Sequence, residues 1–350
     1  MERLGDLTKT LEQSRRTRPF IRAVIAMGRA GTGGNAPSIV KSDWPGDREA
    51  LELTTRGVAT ITGTTTTGAP VATAISDLVS IMGPGSASGG VFARAIQVNL
   101  DDYNGVFVSG IPVSSSGVGF TAQGQPAQVK QKTVGGVTVI PRKILLISTL
   151  TRQVLSGSNA EALVRTGISE DINLGVDLLL FDANDADGIR PAGLRHGVNV
   201  TGATSGGGTE AMLGDLANLA AAVAPLAGPN IVFICSPKQY VKVMLRRTMP
   251  LAFPVFSSAG LADGMVMALA TNALVVAADG SPRFTVSDNA TLHMEDTSPA
   301  ALSATATPNT VAAPIRSLWQ TDSIAVRLTL QMDWALRAAG AVAWTQSVTW

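Results

Sequence analysis

The acidic run Asp182–Gly188 is the most metal-like segment of the chain. An EF-hand calcium loop needs acids at positions one, three and five, glycine at six and glutamate at twelve. Here the glycine is the seventh residue, and Leu194 stands close to the place of the glutamate. The spacing therefore favours a polar loop that ends a helix. The alternatives are a weak ion site or a metal-dependent enzyme that uses Asp182, Asp185 and Asp187.

A second candidate is the run Gly206-Gly-Gly-Thr-Glu-Ala211, which fits the dinucleotide-binding pattern G-x-G-x-x-A. That pattern needs a buried strand before it and an acid about 20 residues after it, and the sequence supplies neither. We predict a flexible linker ahead of a helix. The sequence also has no G-x-x-x-x-G-K-[ST] motif, which argues against a nucleotide P-loop.

Nucleophiles and bases are scarce. The chain has two histidines, His196 and His293, and neither shares a local motif with a nucleophile or a metal ligand. Cys235 lies in an apolar run and is predicted to be an inert core thiol. Ser88 and Ser236 lack the nucleophile-elbow pattern. We predict a chain that is not an enzyme and that needs no cofactor or metal.

The composition points to assembly. Of 350 residues, 45% are hydrophobic and 15% are charged, against a usual charged share of roughly 25%. The net charge is +1 and the mean hydropathy is +0.24. No run approaches the roughly 20 apolar residues that span a bilayer, and the arginine-rich start is not an export signal. We expect a cytoplasmic protein without a membrane partner that buries much of its surface against other protein.

One long helix is predicted over 159–181. Ser158-Asn-Ala-Glu161 forms a capping box, and Val164, Ile168, Ile172 and Val176 repeat at helical spacing. The acidic loop and Pro191 end it.

A long hairpin is predicted before that helix, with strands at 105–112 and 137–147. Its connection has one large apolar residue, Phe120. The other notable residues there are polar or basic: Gln123, Gln125, Gln128, Lys130 and Lys132. Such a hairpin cannot bury itself, so we expect that it either moves freely or lies on a neighbouring subunit.

Residues 196–288 alternate helix and strand, as an α/β module does. Strands are expected at 230–235, 273–278 and 283–287, with helices at 209–223 and 237–249. Lys238, Lys242 and Arg246 repeat at spacing four on the second helix. A solvated helix face is the usual interpretation, and a role in subunit contacts is the alternative. Residues 323–345 are predicted to be paired strands that close the body.

The first hundred residues show less pattern. Residues 1–30 predict a basic amphipathic helix, either packed with a solvated arginine face or acting as an arm that touches a partner or a polyanion. Residues 31–70 have little pattern beyond a short helix within 43–55. Helical spacing over 71–82 is expected to break at the glycine-rich stretch 83–90. The pattern suggests an arm whose partners are on another subunit.

This order of parts resembles the major capsid proteins of tailed bacteriophages with the HK97-type fold. The resemblance is in Ile147–Leu155 before the helix, in Leu178–Asp182 with Pro191-Ala-Gly193 after it, and in the closing runs Leu318–Arg327 and Asp333–Trp344. It covers about residues 70–348. It implies an α+β fold with an N-terminal arm, an extended E-loop hairpin, a peripheral domain on a spine helix and an α/β axial domain.

The resemblance divides the chain as follows. Residues 1–30 are a basic helix, 31–104 the arm and linking helix, 105–148 the E-loop, 149–195 with 289–335 the peripheral domain, and 196–288 with 336–350 the axial domain. Covalent crosslinking of the E-loop is not expected, because Ser323–Leu330 offers no asparagine.

The implied function is a structural shell protein. Hexamers and pentamers of the chain would form an icosahedral phage head around double-stranded DNA, located in the virion and assembled in the bacterial cytoplasm. The partners would be further copies and a portal. Only about 30 helical residues precede the arm, so either a separate scaffolding protein exists, or the scaffolding segment is short, or none is needed. The hairpin residues and Lys238, Lys242 and Arg246 would form assembly contacts. The basic helix, through Arg15, Arg16, Arg18 and Arg22, would touch DNA or scaffold. The alternative is an encapsulin-like nanocompartment that holds cargo enzymes.

Overall fold

The computed structural model describes residues 22–23, 25–30, 35–55, 86–100, 105–111, 120, 123, 135–156, 160–246, 251–293 and 315–350. The chain is of the α+β class and divides into two compact units. The first contains residues 1–69, 144–171 and 282–330, and the second contains residues 70–143, 172–281 and 331–350. Every helix within the described ranges is too short or too polar to cross a membrane.

The described helices are α1 (Ala36–Asp43), α2 (Arg48–Thr55), α3 (Ala87–Phe92), α4 (Arg152–Ser156), α5 (Ala160–Leu180), α6 (Gly208–Ala227) and α7 (Pro237–Arg246). The strands are β1 (Ile96–Asn99), β2 (Val106–Ser109), β3 (Gly136–Val139), β4 (Arg142–Thr151), β5 (Val200–Thr201), β6 (Ile231–Cys235), β7 (Val255–Ser257), β8 (Val266–Ala270), β9 (Leu274–Ser287), β10 (Thr291–His293), β11 (Ile315–Ser317), β12 (Ser323–Leu336) and β13 (Val342–Thr345).

A five-stranded sheet with the order β5-β13-β8-β6-β7 forms the core of the second unit. Strands β6, β8 and β13 are buried along their whole length, because their sequences are nearly continuous apolar runs that can be covered on both faces. Helix α6 packs Met212, Leu216 and Leu219 into this core. Each fully buried aliphatic side chain of this kind contributes about 1.5–3 kcal/mol to folding.

The glycine run at 206–208 begins α6. All three glycines have positive φ angles, a backbone region that other residues rarely adopt. The predicted linker is therefore a tight turn into the helix. Gly228, also at positive φ, follows the last residue of α6.

The pairing of the predicted hairpin is confirmed, but its second strand is not the single run 137–147. Strand β3 ends at Val139, and β4 begins at Arg142 in another sheet. Strands β2 and β3 pair antiparallel, with Val106 opposite Val139 and Ser109 opposite Gly136. On one face of the hairpin, Val139 is buried, and Val106 and Val108 pack beside it on a small apolar cluster. The alternating pattern of the strands leaves Phe107 on the other face.

The chain also forms a sheet with the order β1-β9-β12-β4, in which β1 lies parallel to the first residues of β9. The prediction of two separate strands at 273–278 and 283–287 is wrong, since β9 is one strand of 14 residues. Strand β12, also of 14 residues, contains the alternation predicted from Ser323 onward.

Helix α5 confirms the predicted long helix, with 21 residues over Ala160–Leu180 and a length of about 30 Å. Ile168, Ile172 and Val176 are buried, as their spacing predicts. The capping residue Ser158 lies outside the described residues.

Two short helices were not apparent from the sequence. In α1, the Asn35 side chain accepts a hydrogen bond from the Ser38 amide, and a proline stands in the first turn. Helix α3 begins inside the glycine-rich stretch 83–90, where the sequence predicted only a break after the helix 71–82. Ser86 caps α3 by accepting from the Gly89 amide, which offsets the low helix propensity of two internal glycines. The predicted helix 71–82 lies outside the described residues.

Candidate assembly surfaces

The outer side of the hairpin presents large apolar side chains. Phe107 is 57% exposed and Ile140 is 37% exposed. In the connection between the strands, Phe120 is fully exposed and Gln123 is exposed. The other predicted contact residues of this connection, Gln125, Gln128, Lys130 and Lys132, lie outside the described residues. An exposed aromatic on a two-stranded ribbon indicates a surface that another protein covers.

A buried ion pair ties the base of the hairpin to β12. Asp333 is 3% exposed, and one of its oxygens accepts a 2.9 Å hydrogen bond from the Ile140 amide. Its other oxygen lies 3.5 Å from Arg142 Nε. Burial raises the pKa of Asp333 above its ordinary value, against the opposing effects of the Ile140 amide and Arg142. Asp333 thus fixes the point where the hairpin leaves the body.

Arg142 also binds the acidic loop that follows α5. Its Nη1 donates to the carbonyl oxygens of Asp187 and Arg190. These bonds hold the loop at the base of the hairpin. Because the acceptors are main-chain oxygens, the contact needs a cationic donor but no particular side chain in the loop.

The acids of the loop are engaged within the chain. Asp182 accepts a 2.7 Å bond from Arg190, and Asp187 accepts from the amides of Ile189 and Arg190. These two amide bonds lower the pKa of Asp187 below its ordinary value. Asp185 lies 3.2 Å from His196 Nε2. The arrangement is that of a loop closed by its own hydrogen bonds, and no group of three or more potential metal ligands is found within the described residues.

The three basic residues of α7 have different surroundings. Lys238 is exposed, with Nζ 3.9 Å from Asp263. Lys242 donates a 2.7 Å hydrogen bond to the Trp350 carbonyl oxygen, and Arg246 is half-buried at the end of the helix. Spacing four places them along one side of the helix, as predicted, but only Lys238 is fully available to a partner. The assembly role of this set stays a prediction.

The Lys242 contact belongs to an internal tie that the sequence did not reveal. Trp350 is buried and donates through Nε1 to Asp215 Oδ2 at 2.7 Å. The other Asp215 oxygen accepts from the Thr204 amide at 2.6 Å. Asp215 is thereby satisfied although it is buried in an otherwise apolar helix.

Helix α7 also exposes aliphatic side chains. Val241 is 53% exposed and Leu245 is 79% exposed, one turn apart. They follow Lys238 by three and seven residues, so they lie on the same side of the helix as the basic residues. Helix α6 exposes Leu213 and several alanines, and its only charged residues are Glu210 and the buried Asp215. The exposed side of α6 therefore carries less charge than is usual for a solvated helix.

The predicted lumen-facing arginines are only partly within the described residues. Arg22 donates to Asp47 at 2.9 Å and lies over the Trp44 ring at 5.6 Å, so its guanidinium contacts the chain's own first unit. Arg15, Arg16 and Arg18 lie outside the described residues. Contact of this set with DNA or scaffold stays a prediction.

A buried polar cluster around Asp177 was also missed. The Asp177 carboxylate accepts hydrogen bonds from the hydroxyls of Ser86, Ser88 and Ser258 and from the Ser88 amide. The available signal was an aspartate inside the apolar stripe of a predicted helix, next to Val176. Its partners lie 81 to 91 residues away in sequence, so the cluster itself could not be predicted.

The candidate nucleophiles have structural surroundings. Ser88 bonds to Asp177 and Ser236 bonds to Gln239, both within buried regions. Cys235 is fully buried, and burial raises its pKa to about 12. This agrees with the predicted inert thiol. The His293 side chain is outside the described residues.

No protein-family model matches the chain, and no curated protein matches it. Solved structures do match. One is a satellite phage P4 procapsid that includes the size determination protein, at 12% identity over 82% of this chain and 94% of that chain, with a TM-score of 0.49. Another is a virus-like particle from Pyrococcus furiosus, at 11% identity over 77% and 96%, with a TM-score of 0.47.

A third match is the capsid of an empty GTA particle, at 10% identity over 84% of this chain and 97% of that chain, with a TM-score of 0.46. The chain is thus similar to structures from a procapsid, a capsid and a virus-like particle. These are kinds of particle to which the sequence resemblance points.

Proposed function

We propose that this chain is the shell subunit of an icosahedral phage head or of a phage-derived particle, with the HK97-type division of parts. Hexamers and pentamers of the chain would close around double-stranded DNA, in a virion assembled in the bacterial cytoplasm. The arm, E-loop, peripheral and axial domains would be the ranges that the sequence resemblance gives. A portal and a scaffolding protein would be the further partners.

The observation that carries the proposal is the hairpin of β2 and β3. Its base is anchored by Val139 and by the Asp333 contact, while Phe107 and Phe120 point away from the chain's own apolar cluster. Exposing two phenyl rings costs free energy in a lone monomer, and a neighbour that covers them recovers it. A hairpin anchored at one end and apolar on its outer side is therefore suited to lie across another subunit.

Low charge supports the same proposal. Copies of a chain with a net charge of +1 repel one another weakly, so modest contacts can bring many copies together. In a closed shell each contact is repeated in every subunit, and the effective concentration of neighbouring sites makes weak contacts sufficient.

The direct test is electron microscopy and sedimentation of the full chain expressed alone. We expect closed shells or separate capsomers. The variant Phe120→Ser should reduce the yield of assembled particles at least severalfold while the unassembled chain remains folded. Ile189→Ser, at a loop residue that is 81% exposed, is the matched control and should assemble normally. A stable monomer that never assembles under any condition would refute the proposal.

The contents of the particles separate the two kinds of shell. Nuclease-protected DNA in particles from the native host supports a phage head, whereas a tightly packed cargo protein without DNA supports the nanocompartment. Replacing Arg15, Arg16 and Arg18 by Glu should lower the DNA content and flatten its dependence on salt. Unchanged DNA content and shell yield would remove this set from the proposal.

A further inference from the structure

Strand β4 is the end strand of its sheet, and among the described strands it has a single neighbour, β12. An end strand leaves a row of main-chain donors and acceptors open to another strand. With ten residues, β4 is also longer than most strands, which have five or six. The length gives a second strand enough main-chain partners to form a specific contact.

The usual protections of a sheet edge are missing from most of β4. Its last eight residues, Ile144–Thr151, contain no charged residue, no proline and no glycine. Alternate side chains of β4 are exposed, and among them Leu145 is 49% exposed and Ile147 is 50% exposed. A lone soluble chain would present an uncharged strand with aliphatic side chains, which is a template for pairing.

The two ends of β4 carry opposite charges, which favours pairing with an antiparallel strand of the same sequence. Lys143, at the start, is exposed, whereas beyond the other end the Arg152 amide donates to the Asp322 carbonyl oxygen at 3.0 Å. The Asp322 side chain is 75% exposed and lies 3.1 Å from Arg152 Nε. The strand thus begins with an exposed cation and ends beside an exposed carboxylate.

We propose that β4 pairs antiparallel with β4 of a second copy of this chain across a two-fold axis near Ile147. This pairing places Lys143 of each copy opposite Thr151 of the other, next to that copy's Asp322. Leu145 and Ile147 of both copies then form one apolar row on the same face, because directly opposed residues share a face. A parallel arrangement would instead place Lys143 beside Lys143, which is unfavourable.

The contact is isologous, meaning that both copies use the same strand, so a dimer leaves no free β4 edge for a third copy. It does not depend on the hairpin or on shell formation, and it goes beyond the proposed function. In a shell it would link two subunits related by a two-fold or near-two-fold axis.

Cysteine crosslinking in the full-length chain tests the register. The native Cys235 is buried with a pKa raised to about 12, so it gives a low background. Ile147→Cys should form a disulfide-linked homodimer under mild oxidation, because the two copies of this residue meet at the axis. Lys143→Cys is the matched control, since eight residues of extended strand would keep its two copies about 27 Å apart.

Exchanging the charges of Lys143 and Asp322 tests whether these two residues meet between two copies of the chain. Lys143→Glu or Asp322→Lys alone should weaken dimerisation about three- to tenfold in sedimentation experiments, and the double variant should restore it. Asp322→Asn should weaken it less, and Arg152→Gln, which removes a cation that already binds Asp322, should not weaken it. Exposed side chains are altered in every case, so folding should be preserved, and circular dichroism checks this.

Three outcomes distinguish the β4 contact, its register and the proposed shell function. Shells that form without an Ile147→Cys crosslink would refute the β4 contact and leave the shell function standing. A crosslinked two-fold dimer that never forms shells would support the β4 contact and refute the shell function. Equal crosslinking at Lys143→Cys and Ile147→Cys would overturn the proposed register and show non-specific edge association.

Discussion

The carboxylate of Asp177 is expected to be the strongest single polar contribution to the second unit. It is 3% exposed on α5 and accepts from Ser86 Oγ at 3.0 Å, from the Ser88 amide at 3.0 Å and from Ser258 Oγ at 2.7 Å. These partners hold the start of α3 and the segment after β7 against α5. The substitution Asp177→Ala removes the common acceptor of all of them.

The size of the effect follows from the number of donors left without a partner. Ser86 and Ser88 can still bond to each other, because their hydroxyl oxygens are 2.7 Å apart. The Ser88 amide and the Ser258 hydroxyl lose their charged acceptor, at about 1.5–3 kcal/mol for each such bond. The total loss is therefore about 3–5 kcal/mol, partly offset because a buried charge is removed. Asp177→Asn keeps one acceptor oxygen and should lose about 1–2 kcal/mol.

Amide hydrogen exchange on Ala87–Phe92 is the most direct assay, because it reports the opening of α3 itself. A loss of about 3–5 kcal/mol would speed exchange there by roughly 140- to 4,000-fold if opening limits it. The control is Asp171→Ala, an exposed aspartate on the same helix, which should change stability by less than about 0.5 kcal/mol. Exchange in Asp177→Ala equal to that of wild type would refute the idea that Asp177 anchors α3.

Two further predictions concern titratable groups. Since burial raises the folded-state pKa of Asp333 above its ordinary value of 3.8, the folded chain binds that proton more tightly than the unfolded chain does. The free energy of unfolding of wild type, measured relative to Asp333→Asn in urea titrations, should therefore fall as the pH rises from about 4 through the folded-state pKa. Above that pKa the difference should stay constant to about pH 8. A rise over this range would show that the Arg142 ion pair outweighs burial. Cys235, with its pKa raised to about 12, should react with a thiol reagent at pH 8 at least about 1,000-fold more slowly in the native chain than in urea, and fast labelling of the folded protein would contradict the buried strand β6.

Local patterns predicted the elements that bury continuous apolar surface. The alternation in β12, the apolar run of β6 and the helical stripe of α5 each depend on neighbours in sequence, and each is present in the structure. The hairpin of β2 and β3 was predicted from two flanking β runs and a polar connection, and its pairing is observed.

The missed elements depend on residues far apart in the chain. Helix α3 contains two glycines and was predicted as a break, but a cap from Ser86 and the Asp177 carboxylate stabilise it in the fold. Lys242 was predicted on a solvated or partner-facing side, yet it binds the Trp350 carbonyl 108 residues away. Sequence spacing within one helix could not indicate either contact.

Several charged side chains of the described residues bind other parts of the chain. Arg142 binds the loop after α5, Asp177 and Asp333 hold distant main-chain amides, and Asp215 receives Trp350. Arg195 lies over the Trp344 ring at 4.9 Å. Among the described residues, Phe107, Ile147 and Leu245 are exposed. Like charges on two copies of a surface repel each other, so exposed apolar side chains away from charge can meet a second copy at little electrostatic cost. The contacts proposed for the hairpin and for β4 require this combination.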